Sequence, residues 1–295
     1  MEFEYKLEEN IFQLYYELKE GTYKHGPYED FWIQDPKQRH IHKALVRDRI
    51  VHHALFSALS PVFEPMFIYD SYSCRENKGS HKGIGRLARM LRKASKNNHK
   101  DCFVLKCDIR KFFKSVDHQI LISIIGKRIK DPEAMWLIKE TMESFPAGLP
   151  IGNLTSQLFA NIYLNELDQF VKSQLRIPFY VRYTDDFVII DSRKERLEWW
   201  LSKIKKFLFE ILRLDLHPQK VCIGRYHQGA DFLGYVQFPN YRSLRPTTRR
   251  RIFKRAALGI SEQSLQSYLG VLSHANTHEL SEKIKNLFWL NRREK

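Results

Sequence analysis

The stretch FYVRYTDDFVIID, residues 179–191, decides the reading: two runs rich in β-branched and aromatic residues are separated only by Thr184, Asp185 and Asp186. So short a polar interruption between strand-like runs predicts a β-hairpin with an acidic tip. An Asp-Asp pair at a turn is weak by itself, because Asp favours turns through local hydrogen bonds. Here both flanks are apolar, which puts the carboxylates at the rim of a core, where uncompensated charge is costly unless it binds a cation.

Upstream, CFVLKCDI (residues 102–109) is a second apolar run of strand length, and it delivers Asp108 at its carboxyl end. Three acidic groups at one sheet edge suit in-line phosphoryl displacement, in which two divalent metals about 3.5–4 Å apart stabilise the attacking and leaving oxygens. Asp108, Asp185 and Asp186 are therefore the candidate metal ligands and catalytic residues, expected to converge.

Working outward, apolar spacing predicts a lead helix over 5–20 (Leu7, Ile11, Leu14, Tyr15, Leu18), ended by Gly21. A second helix is expected over 47–60, stopped before Pro61, and a third opens from the glycine-rich GSHKGIGRLARMLRKAS. Further helices are expected from near His118, over Leu154–Lys172 and over 194–212, with a hairpin-like region around 220–238. Mixed helices and hairpins in this order read as α+β. Arg242 to Arg255 holds seven arginines and lysines in fourteen residues, with Pro246 suited to a first helical turn. The remainder reads as helical, with breaks near 259 and 270.

The 295 residues carry 49 basic and 34 acidic side chains, a net charge of +15, so a polyanion such as nucleic acid is the leading partner. A merely basic or ribosome-associated protein is the competing reading of charge alone. Cys74, Cys102, Cys107 and Cys222 form no CxxC pair and are read as reduced and buried, in a cytoplasmic protein. The acidic, amphipathic amino terminus is unlike a secretory leader, and no run has membrane-spanning length.

Tyr183-Thr184-Asp185-Asp186 resembles the YxDD signature of reverse transcriptases, and Asp108-Ile109-Arg110-Lys111-Phe112-Phe113 resembles their first palm motif. LVRDRIVHHAL, YSCRENKGSHKGI, GLPIGNLTSQLFANIYLNELD, LHPQK and FLGY match further family motifs in the family's order. The resemblance implies a right-hand polymerase architecture: N-terminal helix and fingers over 1–100, a palm of antiparallel sheet plus helices over 101–240, and a basic helical thumb over 241–295. It implies that Asp108 and Asp185 bind two Mg2+ ions, for which Mn2+ can substitute, with Ile109 beside them and Asp186 completing the set. Phe113 would lie under the incoming sugar and select deoxynucleotides. Lys37, Arg39 and Arg49 are candidates for holding the triphosphate, Lys220 for the leaving pyrophosphate, and Phe232, Leu233 and Gly234 for gripping the primer. Arg245, Arg249, Arg250, Arg251, Lys254 and Arg255 would track the nucleic-acid backbone with salt-sensitive affinity. Against each basic residue stands the bland reading of a solvated surface, and against Phe113 that of a core residue.

Ile151-Gly152-Asn153-Leu154-Thr155-Ser156-Gln157 narrows the resemblance. Most reverse transcriptases carry QGxxxSP here, whereas those of diversity-generating retroelements have an aliphatic residue first and Gln last. Ile151 and Gln157 are accordingly expected to touch the incoming nucleotide or its template base and to permit errors opposite template adenines during mutagenic retrohoming. That subgroup implies an RNA template, a DNA primer and product, dNTPs, and a small basic oligomeric accessory protein, with no membrane. Thr184 departs from the commoner Met or Ala. The sequence is expected to be a bare polymerase, without ribonuclease H, integrase or maturase parts. The rivals are a retron, CRISPR-associated or phage-defence reverse transcriptase, and a non-catalytic RNA-binding protein on the same scaffold. Three retained carboxylates argue against the last.

Overall fold

A computed structural model describes residues 2–34 and 38–293. The chain runs through α1 (Glu2–Tyr5), α2 (Leu7–Lys19), β1 (Glu29–Ile33), β2 (Arg39–Lys43), α3 (Val46–Phe63), α4 (Ser80–Ala94), β3 (Phe103–Asp108), α5 (Phe112–Ser115), α6 (His118–Gly126), α7 (Pro132–Glu143) and α8 (Leu154–Gln169). It continues through β4 (Tyr180–Tyr183), β5 (Asp186–Asp191), α9 (Lys194–Leu212), β6 (Cys222–Arg225), β7 (Ala230–Phe232), β8 (Tyr235–Gln237), β9 (Arg242–Leu244), α10 (Pro246–Ala257), α11 (Glu262–Leu272) and α12 (His278–Arg293). The sheets are a β1–β2 hairpin, a four-stranded sheet in the order β4-β5-β3-β6, and a three-stranded β7-β8-β9 sheet. All named pairs are antiparallel, so the fold is α+β.

Two compact units are drawn from interleaved stretches: unit 1 from 1–69, 109–176 and 202–218, unit 2 from 70–108, 177–201 and 219–295. In unit 2, Ile84, Leu87, Met90 and Leu91 recur at helical spacing on α4 and pack into one core with Val104, Val181, Val188 and Ile190 of the four-stranded sheet. Burying each of these fully is worth roughly 1.5–3 kcal/mol, and that packing holds the acidic strand ends in place. In unit 1, α8 is buried on almost every side, through Leu158, Phe159, Ile162, Tyr163, Leu164 and Leu167, and α3 packs on it. Such an apolar helix belongs at the centre of a core.

Several sequence expectations need correction. Helix α3 does not stop before Pro61 but carries it in its last turn, where the ring faces solvent and the Glu64 N–H still closes on the Ser60 carbonyl. Pro61 forfeits its own N–H bond to the Ser57 carbonyl, and helical bonding resumes at Glu64. After Gln169 the long helix widens into a π turn, Phe170–Gln174, rather than continuing unchanged to Lys172. Gly270 lies inside α11. Of the free cysteines only Cys102 and Cys107 are buried, while Cys74 and Cys222 are exposed. Burial pushes the Cys102 thiol up to about 12, which makes it inert. Among the described residues no helix is long and apolar enough to cross a membrane.

Candidate active site

In the 179–191 hairpin Tyr183 pairs with Asp186, so the loop is Thr184 and Asp185, and Thr184 takes a left-handed φ of 51°. Asp186 therefore belongs to β5 and not to the turn. Strand β5 pairs in turn with β3 in a register that sets Asp108 opposite Asp186. Directly opposed residues in antiparallel strands stand roughly 4.5–5.5 Å apart at Cα, so two carboxylates from distant sequence are cross-strand neighbours beside Asp185.

The tip is braced from behind by Arg182, whose side chain is fully buried. Its Nη1 donates to the Thr184 carbonyl at 3.1 Å and its Nη2 to Ser71 Oγ at 3.1 Å, while the Thr184 hydroxyl donates to Ser73 Oγ at 2.6 Å. A buried guanidinium needs such acceptors, and meeting them fixes the loop.

Charge at the edge is unevenly balanced. The Lys220 ammonium lies 2.7 Å from Asp108 Oδ1. Lys106 Nζ stands 3.8 Å from Asp186 Oδ2 and 3.6 Å from Asp231 Oδ2, and Asp231 is bound by Arg245, whose Nε donates at 2.7 Å. The other Asp186 oxygen, Oδ1, is buried and has no hydrogen-bond partner among the described residues. Burial pushes the Asp186 carboxyl up to about 7; Lys106 opposes the shift, and Asp108 and Asp185 add to it. Three hard carboxylate donors at one sheet edge, one of them with a sealed, unpartnered oxygen, have the chemistry that suits a divalent cation such as Mg2+. Yet the strands bring the three Asp to one edge without closing a cage: among the described residues no three His, Cys, Asp or Glu side chains gather closely enough to hold a metal ion, and Lys220 and Lys106 pair with Asp108 Oδ1 and Asp186 Oδ2.

The remaining unit 2 candidates lie further along. Phe232 is buried, and Leu233 and Gly234 form the left-handed link between β7 and β8, with φ of 51° and 87°. The Arg245 N–H donates to the Gly234 carbonyl at 2.9 Å, and its half-exposed guanidinium pairs with Asp231. Arg249, Arg250, Lys254 and Arg255 are exposed on α10, and Arg251 is half-buried there.

Unit 1 carries the other candidates. Arg39 opens β2 and Arg49 lies on α3, both exposed; Lys37 falls outside the described residues. Ile109 is buried and bridges to Leu216. The carbonyl of half-buried Phe113 accepts from the Leu149 N–H at 2.6 Å, an approach that only glycine at 148 permits, since a Cβ there would lie 2.2 Å from that oxygen. Ile151 is half-buried, its carbonyl bound by the His42 N–H at 2.9 Å, and Gln157 is exposed on α8. Sequence reasoning missed Lys106, Arg182, Asp231 and Asn153. The usable signal for the first two was a charge inside an apolar strand run.

An acidic hairpin paired to a third carboxylate strand, in an α+β fold of this kind, is the palm of a right-hand polymerase architecture. The profile described as reverse transcriptase (RNA-dependent DNA polymerase) matches residues 33–237, more than half of the sequence, and this chain belongs to that family. The fold is similar to telomerase from Candida albicans in complex with a TWJ fragment of telomeric RNA, at a TM-score of 0.57 and 10% identity, covering 90% of this chain and 55% of that one. The sequence is similar to the Group II intron-encoded protein LtrA of Lactococcus lactis subsp. cremoris, 25% identical over 304 residues, covering 77% of this chain and 49% of LtrA. It is also 28% identical over 149 residues to the Retron Ec73 reverse transcriptase of Escherichia coli, covering 45% of this chain and 46% of that protein. The chain thus spans about half the length of LtrA.

Proposed function

We propose that this chain is an RNA-directed DNA polymerase that extends a DNA primer along an RNA template. The observation that carries the reading is Asp108 set opposite Asp186, next to Asp185, with Asp186 Oδ1 buried and unpartnered. Divalent ions held by these three carboxylates would supply the positive charge that stabilises the attacking and leaving oxygens together. Lys220 and Lys106 offset the charge of the edge in the free protein, and in this reading Lys220, which pairs with Asp108, would meet a leaving pyrophosphate. In this reading Lys37, Arg39 and Arg49 hold the triphosphate, Phe113 checks the sugar, residues 232–234 seat the primer, and the exposed cations of α10 follow the backbone. The regions 1–100, 101–240 and 241–295 serve as fingers, palm and thumb. Primer extension on poly(rA) with oligo(dT) tests it: DNA is expected with Mg2+ or Mn2+ and none after chelation. Synthesis that survives alanine at all three Asp would sink the proposal.

The finer reading is an error-prone enzyme of a diversity-generating retroelement, working with a small basic oligomeric accessory protein, and it rests on Ile151 and Gln157. A site that discriminates through hydrogen bonds loses selectivity when those groups change. Ile151→Gln is expected to lower errors opposite template adenine, and an unchanged adenine error rate would remove the idea. Similarity to LtrA and to the retron enzyme favours a second reading, an intron- or retron-type enzyme. Sequencing the DNA made from a native flanking RNA separates the two.

A further inference from the structure

Asn153 stands at the N-cap of α8, with an extended backbone (φ −107°, ψ 147°), where an Asn side chain ordinarily accepts from the first-turn N–H groups of the helix. It makes no such bond. Its Nδ2 instead donates to the His42 carbonyl at 3.0 Å, and its Oδ1 accepts from the Ala44 N–H at 3.2 Å. The residue is 3% exposed, so both bonds are shielded from water. Two residues earlier the Ile151 carbonyl accepts from the His42 N–H, so both backbone groups of His42 are satisfied by residues 151–153. Between them Gly152 sits at φ +127°, and a Cβ there would lie 2.9 Å from Ile41 Cγ2 and 3.3 Å from the His42 carbonyl oxygen.

Residues 151–153 are therefore tied to the backbone at His42 of β2 and at the following Ala44, and a capping side chain has been diverted from its own helix to fasten them. We propose that Asn153 is a positioning residue for nucleotide selection: it locks the segment bearing Ile151 and Gln157 to β2, the strand that bears Arg39, so that base checking and triphosphate binding keep one register. Both elements lie in unit 1. The inference rests on the polymerase reading given above, because selection has meaning only if a nucleotide is added.

The obvious variant, Asn153→Ala, removes both the tie and any capping capacity. Asn153→Ser separates the two roles: serine is a good N-cap but too short to reach His42 and Ala44 together. In Asn153→Ser the new cap bond is expected to offset part of the lost tie, so that the free protein melts within a few degrees of the wild type, while amide exchange at His42 and Ala44 rises about tenfold, the scale of one lost hydrogen bond. KM for the incoming dNTP is expected to rise about tenfold with kcat within about twofold, the signature of weakened ground-state binding with the chemistry intact. Errors should rise opposite all four template bases, unlike the adenine-specific change expected of Ile151→Gln. Asn153→Ala should repeat the exchange, KM and error changes at a lower melting temperature. If Asn153 merely supports the helix, Asn153→Ser will match wild type in exchange, KM and errors, and the inference is overturned. It is equally overturned if exchange rises while KM and errors stay put. Failure of the polymerase reading is distinguishable, because then the wild-type chain extends no primer at all.

Discussion

The buried polar atoms beneath the start of α8 in unit 1 and those at the acid edge of unit 2 are satisfied to very different degrees. Beneath α8, Tyr23 donates to Asp48 Oδ1 at 2.7 Å and the Gly26 N–H to Asp48 Oδ2 at 3.2 Å. His25 Nδ1 lies 2.6 Å from the Gly26 carbonyl, His25 Nε2 lies 3.1 Å from His52 Nε2, and His52 Nδ1 lies 2.6 Å from Thr155 Oγ1. A carbonyl can only accept, so the proton order follows: His25 Nδ1 donates to Gly26, His52 Nε2 donates to His25, and the Thr155 hydroxyl donates to His52. Each partner fits the next. At the acid edge, by contrast, Asp186 Oδ1 is sealed from water and left without a partner. A satisfied network fixes an element in place, whereas an orphaned buried oxygen calls for an explanation, and the proposed function supplies one in a bound cation.

The largest expected effect breaks or keeps that distinction directly. Asp186→Asn should cut primer extension by at least about a thousandfold, because a charge proposed to bind the cation is gone. Its melting temperature should hold or rise, since a buried carboxylate that Lys106 offsets only at 3.8 Å is replaced with little change of shape. Extension assays and calorimetry check the pair of outcomes. A variant that melts many degrees lower would make Asp186 a structural group like those of unit 1.

The next test concerns pH. Burial is the main cause that lowers the His52 pKa from 6.5 to about 4, with His25 and His53 adding to it and Asp48 opposing. The folded state therefore refuses a proton that the unfolded chain accepts, so stability is intact above pH 6.5 and is lost as pH falls from there toward 4. The full loss is about 3 kcal/mol, by linkage. Urea melts at pH 7, 5.5 and 4 should show this slope, and His52→Gln, which does not titrate, should be shallower by that amount. Equal slopes would mean that His52 is protonated in place and that the proton order is wrong. A smaller effect comes from Thr155→Val, which strips His52 Nδ1 of its donor and should cost about 1–3 kcal/mol at pH 7. A neutral result would mean that this contact is replaceable by water.

The contrast was only partly legible in the sequence. The acidic hairpin and the Asp108 strand could be read because alternating β-rich runs and a short polar break are local signals. Placing Asp186 in the strand rather than the turn could not, since that depends on which residue faces Tyr183, a property of register. Arg182 and Lys106 showed as charges in apolar runs, but their partners Ser71 and Asp231 come from distant stretches. Asn153 could be read as part of a motif, but its diversion from capping α8 to fastening β2 could not, because the competing acceptor and donor are more than a hundred residues away. Interleaving of the two units has the same origin: each is closed by strands and helices that return after long excursions.

The subtlest prediction asks whether the lysines at the edge stand in for the cation. Lys106 shares its charge between Asp186 and Asp231, at 3.8 and 3.6 Å, with its side chain 15% exposed. Lys106 and Asp186 are both largely buried, so removing the lysine partner is expected to lower the melting temperature. The effect that separates the two variants is on metal demand. Lys106→Met removes a competitor for Asp186, and the Mg2+ concentration for half-maximal extension should fall about two- to fivefold. Asp231→Asn takes away the other partner of Lys106, leaves the ammonium to Asp186 alone, and should raise that concentration by a similar factor. The two shifts must have opposite signs, because one variant removes the competing charge and the other concentrates it on the metal site. Shifts in the same direction would mean that Lys106 does not compete with a cation for Asp186.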